Sequence, residues 1–178
     1  MEKPLLTFDM DGVLCRPPFG INPGSGKGKR RDKPGTRDVL WLTERWRYMG
    51  RKPMLGALDG FREFSDQFRC VVVTGRSVLA EGLTRRWYQK HLGFVPELYM
   101  RPSWRETSAQ FKARTLTELR PIAHFEDDPF TADWAADIVE RVFLVDWPRN
   151  TWLERPNVHR IRRIAEAGPV LEPGASGE

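Results

Sequence analysis

The sequence is poor in the residues that staple or anchor a chain. Among its 178 residues are two cysteines, Cys15 and Cys70, and three histidines, His91, His124 and His159. These are too few for a disulfide framework and lack the close spacing of a zinc site. No apolar run exceeds four residues, whereas a membrane-spanning helix needs about 20. The opening MEKPLLTFDMDG has neither the basic stretch nor the apolar segment and small-residue cleavage site of a secretory signal. A cytoplasmic protein is expected. No internal repeat is visible.

What is present is ordinary for a folded chain: 40% apolar and 30% charged residues, too hydrophobic for general disorder. The length suits one domain with a real core, placed over residues 1–167, with the tail GPVLEPGASGE (168–178) expected to be disordered. The net charge of +5 favours anionic partners, phosphorylated substrates among them. An arginine-rich composition alone would give the same sign.

Short β-rich runs alternate with stretches of helical period, the pattern of a parallel sheet wrapped by helices, so the class is α/β. Five strands are expected, at Leu5 to Phe8, Cys70 to Val73, Glu97 to Met100, Ile122 to Phe125 and Val142 to Val145. Helices are expected over Leu55 to Phe68, Val78 to His91, Thr107 to Leu119, Phe130 to Val139 and Val158 to Ala167. An insertion over residues 16–54 interrupts the first connection. Its first part is rich in proline and glycine, which reads as a flap, and Val39, Leu42, Trp46 and Met49 then recur at helical spacing. That helix suits either a lid or simple packing on the core. The stretch PGSGKGKR lacks the Ser or Thr after its lysine and the preceding strand of a P-loop, so it reads as a basic flap carrying Lys27, Lys29, Arg30, Arg31 and Lys33.

The chemistry-bearing residues fall at strand ends. The first strand runs into Asp9-Met10-Asp11-Gly12, and residues two apart on an extended chain project to one side. Two carboxylates about 5 Å apart repel by roughly 3 kcal/mol at an effective dielectric near 20. They call for a cation, and magnesium, which takes carboxylates together with phosphate oxygens, suits the pair. An Asp-Gly turn is the alternative. The second strand ends in Thr74-Gly75-Arg76, a hydroxyl, an unhindered N–H and a guanidinium, which suits a phosphate or a plain helix cap. Lys112 falls within the apolar stripe of Ala109, Ala113, Leu116 and Leu119, where an ammonium needs either a partner or a snorkelling route to solvent. The fourth strand ends in Glu126-Asp127-Asp128-Pro129, a third acidic group or a solvated helix start.

Taken together, DMDGVL, VVVTGR, Lys112 in AQFKARTL and HFEDDP resemble, in order and spacing, the four motifs of the haloacid dehalogenase superfamily, from about Leu5 to Asp146. The resemblance implies a Rossmann-like sheet with a small cap in the 16–54 insertion. It implies Asp9 as nucleophile, Asp11 as acid and base, and Thr74 and Lys112 as catalytic residues holding the phosphoryl group, with Gly75 and Arg76 beside them on the substrate. Magnesium would be bound by Asp9, the main-chain carbonyl of Asp11 and Asp127, with Glu126 and Asp128 as alternates. An aspartate at position 11 points to a phosphatase in this family. The segment VFLVDWPRNTW is similar to that of nucleotidase-like members, although Trp147 and Trp152 also suit packing. A small phosphorylated metabolite such as a nucleoside monophosphate is the expected substrate. The alternatives are a polynucleotide 3'-phosphate or a phosphoprotein drawn in by the basic flap, and a binding module without turnover.

Overall fold

Six strands, all parallel, form one sheet in the computed structural model, which describes residues 3–17, 47–103 and 105–171. They are β1 (Leu5–Phe8), β2 (Arg69–Ser77), β3 (Glu97–Arg101), β4 (Ala123–Glu126), β5 (Arg141–Val145) and β6 (Val158–Ile161), in the spatial order β3-β2-β1-β4-β5-β6. The helices are α1 (Ala57–Gln67), α2 (Glu81–Leu92), α3 (Ser108–Leu119), α4 (Pro129–Ala135) and the four-residue α5 (Gly168–Leu171). Among the described residues no helix is long and apolar enough to cross a membrane.

The sheet core follows from residue alternation. Phe8, Phe125 and Phe143 are in register on β1, β4 and β5, and their rings stack at 4.3 and 4.8 Å. Phe61 of α1 meets Phe8 edge-on at 4.9 Å, so this face of the sheet is an aromatic layer closed by α1. Period-two alternation turns Thr7, His124 and Glu126 to the other face, where α3 packs against β2. A capping box starts α3: the Thr107 side chain accepts from the Gln110 N–H, and the Gln110 side chain accepts in return. At α4, Asp128 is the N-cap and Pro129 follows at the first helical position.

Two expectations are corrected. The sheet has six strands rather than five, because Val158–Ile161, expected to open a helix, pairs with β5 from Val142↔Val158 to Val145↔Ile161. Val158, Ile161, Ile164 and Ala167 are spaced by three, which imitates a helical stripe. Here the spacing arises from a strand followed by a 3-10 turn over Ile164–Ala167, whose period is three residues. The tail expected to be disordered begins instead with α5, where Leu171 is buried; residues 172–178 lie outside the described residues. So do 18–46 of the insertion, including the basic stretch. The described end of the insertion returns beside the motif after β1: the Met54 N–H donates to the Leu14 carbonyl and the Arg16 N–H to Lys52.

Candidate active site

From β1 the chain crosses to β2 on one side of the sheet, and from β4 to β5 on the other. This leaves a crevice at the carboxyl ends of β1 and β4, where open α/β sheets place their ligands. Asp9 leaves the end of β1, tied to the neighbouring strand by its N–H to the Phe125 carbonyl at 2.8 Å. Lys112, projecting from α3, puts its Nζ 3.0 Å from Asp9 Oδ1 and 2.7 Å from Glu126 Oε2. All three side chains are buried. The ammonium within the apolar stripe therefore has carboxylate partners and does not snorkel.

Glu126 is fully used. Its Oε1 accepts the backbone N–H groups of Asp127 and Asp128 at 3.0 and 3.1 Å, and Oε2 takes Lys112 and the His124 ring at 3.3 Å. An ionised carboxylate only accepts, so the His124 proton sits on Nε2, and Nδ1 accepts from the Thr7 hydroxyl at 3.0 Å. Burial pushes His124 down, keeping the ring neutral. Burial raises Glu126, but Lys112 and the His124 ring together outweigh it and hold the carboxyl well below its usual range. For Lys112, burial is likewise overcome by Asp9 and Glu126, and its ammonium is held charged. Asp9 goes the other way: burial lifts it well above the usual carboxylate range, and Lys112 only partly opposes this.

Asp128 is also committed. Its Oδ2 caps α4 by accepting from the Thr131 N–H and hydroxyl at 2.9 and 3.0 Å, and Oδ1 receives Arg149 at 3.3 Å. Asp127 faces the crevice, paired with Arg149. Carboxylate oxygens of Asp9, Glu126 and Asp127 lie within 4.8 Å of one another. Gly12, at φ +93°, passes so close that a Cβ there would fall 2.1 Å from Asp127 Oδ2, so a side chain in place of Gly12 would fill the space beside the acid.

Among the described residues, the side chains of the two aspartates after β1 pair with different cations. Asp11 turns to Arg76, which grips it with both arms, Nε to Oδ2 and Nη2 to Oδ1, each at 2.7 Å. Burial raises Asp11, but the Arg76 charge and hydrogen bonds outweigh it and leave the carboxyl below its usual value. The pairing of β2 with β3 shifts register between Thr74 and Ser77, and such irregularities re-aim side chains at strand ends. Thr74 is buried, and its hydroxyl accepts the Arg76 N–H at 3.3 Å. Gly75 allows α3 to approach, since a Cβ there would lie 2.0 Å from Ser108 Oγ. The structure thus brings Asp9, Lys112, Glu126 and Asp127 together and sets Asp11 with Arg76 beside them.

No family model and no curated protein matches the sequence, but solved structures do match the fold. The chain is similar to a haloacid dehalogenase-like family hydrolase from Streptococcus pneumoniae at 13% identity, with TM-score 0.63 over 96% of this chain and 99% of that one. It is similar to a D,D-heptose 1,7-bisphosphate phosphatase from B. bronchiseptica, complexed with magnesium and phosphate, at 16% identity and TM-score 0.56 over 96% and 98%. A chain of the Pnkp1/Rnl/Hen1 RNA repair complex matches at 15% identity and TM-score 0.57, covering 82% of this chain and 43% of that one. The fold is that of the haloacid dehalogenase-like hydrolases. At such identities the likeness is one of architecture, so the roles of residues in this chain rest on its own geometry.

Arg149 and Arg51 were not singled out from the sequence, and the segment VFLVDWPRNTW was noted there only for its nucleotidase-like pattern. Arg149 sits against Asp127 and Asp128. Beside it, buried Asn150 donates to the carbonyls of Asp127 and Val145 at 3.0 and 2.8 Å and accepts the Trp147 N–H. Trp147 in turn donates to the Gly12 carbonyl at 3.1 Å, so the loop after β5 braces the motifs after β1 and β4. The signal was available: these residues directly follow a strand end. Arg51 Nη1 stands 3.8 Å from Asp11 Oδ1, and nothing in a local pattern links it to that acid.

Proposed function

We propose that this chain is a magnesium-dependent phosphomonoesterase working through an aspartyl-phosphate on Asp9. The observation that carries the reading is the Lys112 ammonium 3.0 Å from the Asp9 carboxylate, in a crevice where two further acids stand within 4.8 Å. The fold and a structural neighbour complexed with magnesium and phosphate support it. Asp9, the main-chain carbonyl of Asp11 and Asp127 are the metal ligands in this reading. Glu126 is bound to Lys112 and two backbone N–H groups, and Asp128 caps its helix; Asp127, which pairs with Arg149, is the acid after β4 that this reading assigns to the metal. An all-oxygen donor set suits magnesium. Bound there, the ion supplies charge stabilisation to a phosphate oxygen and favours the ionised form of Asp9, which burial opposes.

In the first half-reaction Asp11, which Arg76 holds ionised in the resting site, takes up the proton of the incoming phosphate monoester; an Asp9 oxygen attacks phosphorus, the ester P–O bond breaks, and the leaving alkoxide takes that proton from Asp11. In the second, water attacks the aspartyl-phosphate, its proton returns to Asp11, and inorganic phosphate leaves as the Asp9 carboxylate is restored. Lys112, the Thr74 hydroxyl and the Gly75 N–H hold phosphoryl oxygens. A small phosphorylated metabolite, with a nucleoside monophosphate first, is the substrate, in line with the nucleotidase-like segment after β5. A second reading, a polynucleotide 3'-phosphate, is favoured by the basic run from Lys27 to Lys33 and by the RNA repair neighbour. The free thiols Cys15 and Cys70 fit a reducing, cytoplasmic setting.

The test is phosphate release from para-nitrophenyl phosphate, nucleoside monophosphates and 3'-phosphorylated oligonucleotides, with magnesium and with EDTA. Wild-type turnover that EDTA and Asp9→Asn both abolish supports the reading. Turnover retained by Asp9→Asn rejects the covalent intermediate, and no release from any ester leaves the binding-module alternative standing.

A further inference from the structure

Arg76 is a buried cation beside a candidate phosphatase site, and its guanidinium is committed to a neighbouring side chain. It is 1% exposed. Its Nε and Nη2 hold the two oxygens of Asp11, Nη2 also lies 3.3 Å from Cys15 Sγ, and Nη1 donates to the Thr84 hydroxyl at 3.3 Å. The Tyr48 ring, from the returning end of the insertion, covers the guanidinium with its centroid 4.1 Å from Cζ, a cation–π contact that further fixes the plane of the fork. Arg51 Nη1 also approaches Asp11 Oδ1, at 3.8 Å. The Asp11 side chain keeps 29% exposure, so the carboxyl remains open to take up a proton and to pass it to a leaving oxygen in the crevice.

We propose that Arg76, backed by the Tyr48 ring, is a positioning residue that fixes the orientation of the Asp11 carboxyl toward the leaving oxygen, and is not itself a ligand of the substrate phosphate. The inference rests on the phosphomonoesterase reading. It assigns the described end of the insertion a part in the chemistry, because Tyr48 and Arg51 both approach the Asp11–Arg76 pair from that segment. A guanidinium fork matches both oxygens of a carboxylate, which a lysine ammonium cannot do. Arg76→Lys therefore keeps the charge and loses the alignment. Tyr48→Ala removes the backing, while Tyr48→Phe keeps it.

The readout is the dependence of kcat/KM on the leaving group. A para-nitrophenolate departs without a proton, whereas an alkoxide needs one from Asp11. Arg76→Lys is expected to lower kcat/KM for alkyl phosphates by about a hundredfold and for para-nitrophenyl phosphate by less than about fivefold. Inhibition by inorganic phosphate should be unchanged within about twofold. Tyr48→Ala should show the same selective loss at smaller amplitude, and Tyr48→Phe should restore the wild-type dependence on leaving group. Equal losses on all esters with weaker inhibition by inorganic phosphate would make Arg76 a substrate ligand and overturn the proposal. A lower Tm with an unaltered dependence on leaving group, in both Arg76→Lys and Tyr48→Ala, would make the stack merely structural and overturn it as well. Wild-type protein that hydrolyses no ester refutes the phosphomonoesterase reading itself, an outcome distinct from either of these.

Discussion

Replacing Lys112 with methionine tests whether the cation is structural as well as chemical. The ammonium stands 3.0 Å from Asp9 and 2.7 Å from Glu126, which at an effective dielectric of 20 corresponds to gross attractions of about 5 to 6 kcal/mol each. Desolvation of three buried groups offsets much of this. The measurable loss is that of stranding buried charge, about 3 to 5 kcal/mol, and the lower end is expected because Asp9, already pushed toward protonation by burial, can neutralise itself. For a domain of this size that corresponds to roughly 10 °C in Tm. Adding Glu126→Gln to Lys112→Met should recover part of the loss. The amide can still accept the two backbone N–H groups, and the His124 proton can move to Nδ1 and donate to Thr7, whose hydroxyl already reaches the Ala123 carbonyl at 3.3 Å. The pH dependence has a definite sign. The folded-state value of Glu126 is depressed, so its contribution is complete above the ordinary glutamate value of about 4.3 and fades as pH falls. That of Lys112 is raised, so its contribution persists up to at least about pH 10. The gap between wild type and Lys112→Met should therefore narrow only on the acid side. Urea unfolding of the two variants from pH 3 to 8 measures this. A single variant within 1 kcal/mol of wild type, or additivity of the two changes, would refute the triad as the organising contact.

Gly75→Ala should destabilise by about 1 to 3 kcal/mol through overpacking, because its Cβ would meet Ser108 Oγ at 2.0 Å; thermal melts should show Ser108→Ala restoring part of the loss. Asn150→Ala removes two donations to buried carbonyls and one acceptor for Trp147 and should cost about 2 to 4 kcal/mol. Chemical denaturation gives its stability, and calorimetric titration with magnesium should show weaker binding, since Asp127 loses its brace.

Much of the sheet was legible because its strands are local signals. Val71, Val72 and Val73 are a short β-branched run buried on both faces, and such runs read as interior parallel strands. The edge strand β6 was not legible: in VHRI only Ile161 is buried, so neither a continuous apolar run nor a clean alternation marks it. Its Arg160 side chain is held by Asp146, Asn150 and Leu153, contacts with the preceding loop that no strand or helix periodicity signals. The acidic positions and Lys112 were legible for a different reason. A charge in an apolar stripe and carboxylates at strand ends both violate the local pattern, and such violations cluster where function is built.

What the sequence could not settle was how the charges pair, since that depends on where each strand end turns. Two residues apart, Asp9 and Asp11 looked like one anionic pair, yet β1 ends at Phe8 and the chain bends at Met10 and Gly12. The second acid is carried to a different cation. Likewise the register shift after Thr74 sends Arg76 to Asp11, and the helix cap claims Asp128 while Arg149 holds both it and Asp127. Among the described residues, five carboxylates, on Asp9, Asp11, Glu126, Asp127 and Asp128, face four cations, on Lys112, Arg76, Arg149 and Arg51. The cluster is formally one charge negative. A divalent cation makes it one positive, and a phosphate dianion then returns it to one negative. Under the proposed phosphomonoesterase reading, near-neutrality at each stage would let the site attract metal and substrate in turn without holding the product too tightly, which a catalytic crevice requires and a purely structural ion-pair network does not.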